Sequence, residues 1–257
     1  MNEKVGIAGV GALGSIVAKA FPMDGYVLHA VSDKNHVMDG VIPNVDFAVL
    51  ARECDVIVEC LPAAAAKDLA EIVLSEGKTL ILISACALVL YPELSTSVEK
   101  SSGGIIVPSG ALSGLDAVLW MKEQSIKESK IISSKPPAGF KNAPYILEKN
   151  INLDDIKTRV MIFSGNVFEA AKAFPANVNV AASLALAGIG PEKTQVEVWA
   201  DPDAKSNSHE IIVTGAGSIV RSKIENVPDP ANPKSSQQAA YSIIAALKKR
   251  KSNLTIY

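Results

Sequence analysis

Lys4-Val5-Gly6-Ile7-Ala8-Gly9-Val10-Gly11-Ala12-Leu13-Gly14 begins as an apolar run and ends in glycines spaced G-x-G-x-x-G. The run Lys4–Val10 reads as a buried strand and Ala12–Phe21 as a helix, so the glycines fall at a strand-to-helix turn. The spacing alone is weak, but in that setting each glycine has a mechanical task. Gly9 permits the tight turn, Gly11 lets a pyrophosphate approach the backbone, and Gly14 lets the helix pack on the strand. The amides of Ala12 and Leu13 then point at the phosphates from a helix N-terminus. Asp33 closes a second strand, Val27–Ser32, about where the acid that binds ribose hydroxyls belongs. A carboxylate there favours NAD over NADP, whereas Lys34, Asn35 and His36 directly after it leave NADP open.

Working outward, Asp55–Glu59 and Thr79–Ile83 read as further buried strands, with a helix over Ala63–Ser75 capped by Gly77. Alternating strands and helices predict a parallel sheet. Ligands bind at the carboxyl edge of such a sheet, which brings Cys60-Leu61-Pro62 and Ser84-Ala85-Cys86-Ala87 into the cofactor site.

Past about residue 110 the pattern changes. Leu115–Glu123 reads as a helix, Lys130–Ser134 as a strand and Pro136–Asn152 as a loop; Arg159–Ser164 is again a strand. Helices follow over Val167–Phe174 and Val178–Ala187. Thr194–Ala200, Glu210–Thr214 and Ser218–Glu225 run close together, as an antiparallel meander would. A Pro-rich stretch, Val227–Pro233, leads to a last helix, Ser236–Lys249. The expected class is α/β: an N-terminal Rossmann doubly wound parallel sheet, then a second α/β domain with a mixed, largely antiparallel open sheet. The expected domains are 1–110 for dinucleotide binding and 111–233 for substrate and dimerisation; 234–257 forms a C-terminal helix that can pack on either.

Composition narrows the function classes. Of 257 residues, 48% are apolar and 20% charged, the balance of a globular protein. Twenty-five basic against 27 acidic residues leave a net charge of −2 and no basic excess for nucleic acid. Nothing spans a membrane, and the start lacks a signal-peptide pattern. Three cysteines without ligand spacing imply a reducing, cytoplasmic setting and no metal.

The second half carries the candidates for chemistry. Pro108–Asp116 offers small residues and free amides, Ser109 among them, for a nicotinamide or a small anion. In Phe174–Ala182, Asn177 suits a helix N-cap, while Asn179 has less local reason to be present and suits the nicotinamide carboxamide. His209, in a polar stretch before a strand, suits proton transfer, although a structural histidine fits the same pattern. Lys135 is either a carboxylate anchor or a solvated strand end. Cys86, among small apolar residues with no base nearby, reads as packing.

Together the Gly9–Gly14 loop, PSGALSGLD (108–116), SKPP (134–137), FPANVNVAASLALAG (174–188), Asn207-Ser208-His209 and the 227–234 tail resemble the L-aspartate dehydrogenase family. That resemblance implies an NAD(P)-dependent enzyme linked to NAD biosynthesis. It implies His209 as the catalytic residue, cofactor contacts at Ser113 and Asn179, and a homodimer; Ala111 is a further expected cofactor contact, and hand-off to quinolinate synthase a further expected partner. Two positions depart from the family pattern: Ser113 stands where alanine is usual, and Cys86 where glycine is usual. The expected reaction is oxidative deamination of L-aspartate, a dicarboxylic amino acid, or its reverse. Two alternatives remain: a dihydrodipicolinate-reductase-like enzyme, which the absence of a His-His pair disfavours, and a non-catalytic NAD-sensing module.

Overall fold

The stretch that opens the chain forms β1 (Glu3–Ala8), the glycine turn and α1 (Ala12–Lys19). The computed structural model describes residues 2–35, 41–227 and 236–254; His36 and most of the 227–234 tail lie outside them. The chain continues through β2 (Tyr26–Ser32), α2 (Phe47–Glu53), β3 (Val56–Glu59), α3 (Ala63–Ser75), β4 (Thr79–Leu82), α4 (Cys86–Leu90), α5 (Glu93–Lys100) and β5 (Gly104–Ile106). The five strands are parallel in the order β2-β1-β3-β4-β5, a Rossmann-like doubly wound sheet. They are apolar nearly throughout because both faces are covered. One face carries a cluster around Val5, Ile7, Val56, Val58 and Ile81; the other carries Ala8, Ile57, Leu80 and Leu82. The sequence reading missed α2, which lacks a strong helical stripe. It is fixed instead by its cap, where Asp46 accepts from the Val49 amide at 2.8 Å.

The second compact unit spans Ser109–Ser236. It comprises α6 (Leu115–Gln124), β6 (Ile126–Lys135), α7 (Pro144–Glu148), β7 (Val160–Asn166), α8 (Val167–Ala173), α9 (Asn179–Ala187), β8 (Thr194–Ala200), β9 (Asn207–Gly215) and β10 (Ile219–Asn226). The sheet order is β10-β9-β6-β8-β7, antiparallel apart from the parallel pair β6–β8. The expected meander is therefore corrected. Only β9 and β10 form a hairpin, because the chain after Ala200 crosses the end of β6, where the Asp201 amide donates to Lys135 O at 2.9 Å. The expected loop 136–152 is also corrected, since it contains a 3₁₀ turn, Pro137–Phe140, and α7. An aromatic cluster holds that segment: Phe140, Tyr145 and Phe163 each lie 5.4–5.9 Å from the Phe174 ring.

Alternation along these strands sorts the side chains, apart from Ser134, which is buried on the opposite face of β6. Ser129, Ile131, Ser133 and Lys135 of β6 share a buried face with Thr194, Val196, Val198 and Ala200 of β8 and with His209, Ile211 and Val213 of β9. Among the described residues, intervening positions such as Lys130, Glu197 and Glu210 are more exposed.

The last helix, α10 (Gln238–Lys251), belongs to the first unit, Met1–Pro108 with Gln237–Tyr257. Ala240, Ile243 and Leu247 join the cluster of α1 and β1, and the Tyr26 hydroxyl donates to Leu247 O at 3.0 Å. Arg250 closes the packing with an ion pair to Glu3 at 2.9 Å. Among the described residues no helix is long and apolar enough to cross a membrane, and no His/Cys/Asp/Glu group has the arrangement of a metal site.

Candidate active site

In the first unit the glycines divide their work as their surroundings demand. Gly9 has φ +86°, and a Cβ there would lie 2.5 Å from Cys60 O. A Cβ on Gly14 would lie 1.8 Å from Gly9 O, so α1 packs on the turn only without one. At Gly11 an added Cβ would meet nothing within 4 Å. No packing constraint explains a glycine there, whereas a ligand approaching the backbone does. Gly11 is also the N-cap of α1 and supplies no side-chain cap, so the amides of Ala12 and Leu13 face an end of the helix that suits an anion. These features fit the pyrophosphate of a dinucleotide, at the β1/β3 point where strand order reverses.

Asp33 is tied to that turn. Its Oδ2 accepts from the Val10 amide at 2.7 Å and its Oδ1 from the Asn35 amide at 2.8 Å. Asn44 holds the Asp33 backbone from both sides, at 3.0 and 2.8 Å. Lys34 is exposed beside it. Asn44 was not legible in the sequence, since its partner lies eleven residues earlier.

The other two loops share a buried clip. Glu59, fully buried at the end of β3, accepts from the Leu61 amide and from the Ser84 amide, the latter at 2.9 Å, while Ser84 Oγ donates to Leu61 O. Burial pushes the Glu59 carboxyl up to about 7 despite those donors. The clip fixes Cys60, Leu61, Ser84 and Ala85 relative to one another. A charged residue ending an apolar strand was the available signal, and it passed as a strand boundary. Cys86 is fully buried at the start of α4, and burial pushes its thiol up to about 12, as suits a packing residue.

In the second unit the structure gathers polar side chains at one end of the buried sheet face. Ser133 and His209 are cross-strand partners, and Ser133 Oγ lies 2.9 Å from His209 Nδ1. Lys135, two residues further along β6, is 4% exposed, which excludes the solvated strand end. Its Nζ donates to Asn177 Oδ1 at 3.3 Å, and among the described residues no carboxylate faces it. The Asn177 cap reading is thereby corrected: α9 begins at Asn179 behind Val178, and no side chain caps it. Burial lowers Lys135 to about 8, and burial with the Lys135 charge lowers His209 to about 3. His209 is therefore a neutral imidazole at pH 7 in the free protein.

Ser113 Oγ and Ser222 Oγ lie 2.7 Å apart, and the buried Asn226 donates to Ala111 O at 3.2 Å, which pins the 109–114 turn to β10. Ser109 is exposed and Asn179 half-buried. Ser133, Ser222 and Asn226 escaped the sequence reading because strand register, not spacing, brings them in.

Comparison with known proteins decides the family. Residues 116–250 match the family model described as aspartate dehydrogenase, C-terminal. L-aspartate dehydrogenase 3 of Bordetella bronchiseptica is 42% identical over 95% of this chain and 94% of its own length. L-aspartate dehydrogenase of Methanococcoides burtonii is 39% identical over 96% of each chain. This chain belongs to the L-aspartate dehydrogenase family. The crystal structure of aspartate dehydrogenase from Thermotoga maritima superposes over 100% of both chains with a TM-score of 0.82 at 26% identity. An aspartate dehydrogenase relationship and a Rossmann-like sheet together imply a pyridine-nucleotide cofactor and make the chain an NAD(P)-dependent oxidoreductase.

Proposed function

We propose that this protein oxidises L-aspartate to iminosuccinate, which hydrolyses to oxaloacetate and ammonia, or runs the reverse reduction. The observation that carries the reading is Lys135, a buried ammonium that faces no carboxylate among the described residues, on the same sheet face as the neutral His209. A buried cation without a counter-ion is costly unless a ligand supplies one, and a dicarboxylic amino acid does so. When bound, the nicotinamide supplies a hydride acceptor for the substrate Cα. In the tautomer whose Nδ1–H donates to Ser133 Oγ, His209 Nε2 is left to take the proton that the amino group, or the water attacking the imine, must lose. Lys135, with Asn177 behind it, fixes a carboxylate, and Ser109 is a second candidate for substrate contact.

On this reading 1–110 hold the cofactor and 111–233 the substrate and the dimer contact, while the helix of the C-terminal segment 234–257 packs back on the first unit. Gly9, Gly11, Ala12, Leu13 and Gly14 take the pyrophosphate, and Asp33 and Lys34 lie at the ribose. Cys60, Leu61, Ser84, Ala85, Ala111, Ser113 and Asn179 complete the cofactor contacts. Asp33 favours NAD, and NADP remains open through Lys34. We further place the enzyme in the cytoplasm as a homodimer, supplying iminosuccinate to quinolinate synthase for NAD biosynthesis.

The test is the NADH absorbance band after mixing protein, NAD and L-aspartate at alkaline pH, with oxaloacetate, ammonia and NADH for the reverse. Turnover in either direction is expected. No turnover with NAD or NADP removes the assignment.

A further inference from the structure

Asn207 opens β9, is 2% exposed, and its Oδ1 has no hydrogen-bond partner among the described residues. A buried amide that served only the fold would be paired, because an orphaned acceptor costs stability. The other buried side-chain oxygens in that state are serine and threonine hydroxyls, which can turn towards a new partner. An amide has no such freedom, since a flip would only exchange the unpaired oxygen for an equally unpaired NH₂.

Its position gives the orphan meaning. Asn207 shares the buried face of β9 with His209, two residues on. One register step beyond the pair Ser134↔Ser208, it stands across from Lys135 on β6. On its other side it pairs with Asn226, whose Nδ2 is committed to Ala111 O. A free acceptor therefore sits in one cross-strand row with an anion-seeking ammonium, next to the row that holds His209. Residues two apart on a strand are roughly 6.6 Å apart, the scale of an amino acid.

The occupant must bring an anion for Lys135 and a hydrogen-bond donor for Asn207. With both carboxylates ionised, the donors of aspartate are all on its amino nitrogen. We propose that Asn207 Oδ1 accepts a hydrogen bond from the substrate amino group, holding that nitrogen beside His209 while Lys135 takes a carboxylate. The inference rests on the aspartate reading above and makes Asn207 the residue that tells an amino dicarboxylate from its deaminated counterpart.

Succinate, which keeps both carboxylates and lacks the amine, separates the two contacts. NADH-saturated wild type, Asn207→Leu and Asn207→Ala are titrated calorimetrically with L-aspartate and with succinate, and their melting temperatures are recorded. Both variants are expected to lose L-aspartate affinity roughly 10–100-fold, with succinate affinity changing less than about threefold, as for loss of a single charge-assisted contact. Because no hydrogen bond is lost from the free protein, Asn207→Leu should melt no lower than wild type, and up to about 4 °C higher. Equal losses for the two ligands, or unchanged L-aspartate affinity, overturn the inference, as does a lowered melting temperature in both variants. Wild type that binds succinate but neither binds nor oxidises L-aspartate defeats the aspartate reading itself.

Discussion

The two units build their ligand-facing edges in opposite ways. In the first, the contacts offered are main-chain amides on a turn whose supports are paired: Asp33 accepts two backbone amides, and Glu59 accepts from both neighbouring loops. In the second, the groups offered are side chains buried with partners still missing. Lys135 has one neutral partner, and Asn207 Oδ1 has none among the described residues. On the proposed reading, the first edge is finished before its ligand arrives, while the second is left incomplete in a way that the substrate completes. A backbone cradle reads the charge and shape common to dinucleotides; an unbalanced side-chain cluster reads one substrate's charge and donors.

Substitutions at the two edges should therefore fail differently. The largest effect is expected at His209. His209→Asn keeps polarity but cannot take up and return a proton near neutrality, so kcat should fall roughly 10²–10⁴-fold. NADH affinity should hardly move, and steady-state kinetics with a fluorescence titration of NADH check both. Near-normal turnover would transfer the proton step to Lys135 or water.

Next comes the glycine turn. Gly11→Val has room for its Cβ in the free protein, so it should fold normally yet bind NADH at least about 100-fold more weakly, as the phosphates meet the branch. Gly14→Ala should do the reverse, losing stability by about 1–3 kcal/mol because its Cβ is forced onto Gly9 O. Circular dichroism melts beside NADH titrations separate the pair, and tight binding by a folded Gly11→Val would sink the backbone-cradle account.

The clip is expected to show in the pH dependence of stability. The folded-state value of Glu59 is raised from 4.5 to about 7, so its contribution is complete below about pH 4.5 and is lost as pH rises through 7. Glu59→Gln should flatten that slope in denaturant melts run from pH 4.5 to 8; an unchanged slope would mean that Glu59 does not titrate there. The smallest effect concerns cofactor choice. Asp33→Ser should move preference towards NADP by about 1–2 kcal/mol, read as the ratio of kcat/KM values for the two cofactors. An unchanged ratio would place Asp33 away from the ribose.

The same contrast explains what the sequence disclosed. Gly9, Gly11 and Gly14 lie within six residues of one another, and strand-to-helix grammar alone gives their spacing meaning. Sheet class followed from the continuous apolar runs, since a doubly covered strand tolerates little else. The second edge depends on register. Ser133 meets His209 across 76 residues, and Asn226 meets Ala111 across 115. No local pattern encodes those pairings, so Asn177 read as a cap, Lys135 stood between two roles, and β8 was joined to the wrong neighbour. His209 and Asn179 were singled out through resemblance more than through their own surroundings.

The most direct test of this account is whether Lys135 waits for an anion. Succinate is titrated into NADH-saturated wild type and Lys135→Met across pH 6.5 to 9.5. Burial lowers the free Lys135 to about 8, so wild-type affinity should be flat below that pH and fall about tenfold per unit above it, as the ammonium is lost. Lys135→Met should bind roughly 10–100-fold more weakly at pH 7 with no such bend. Wild-type binding that is flat through pH 9.5, or equal binding by Lys135→Met, would contradict the claim that this buried cation is the substrate's anchor.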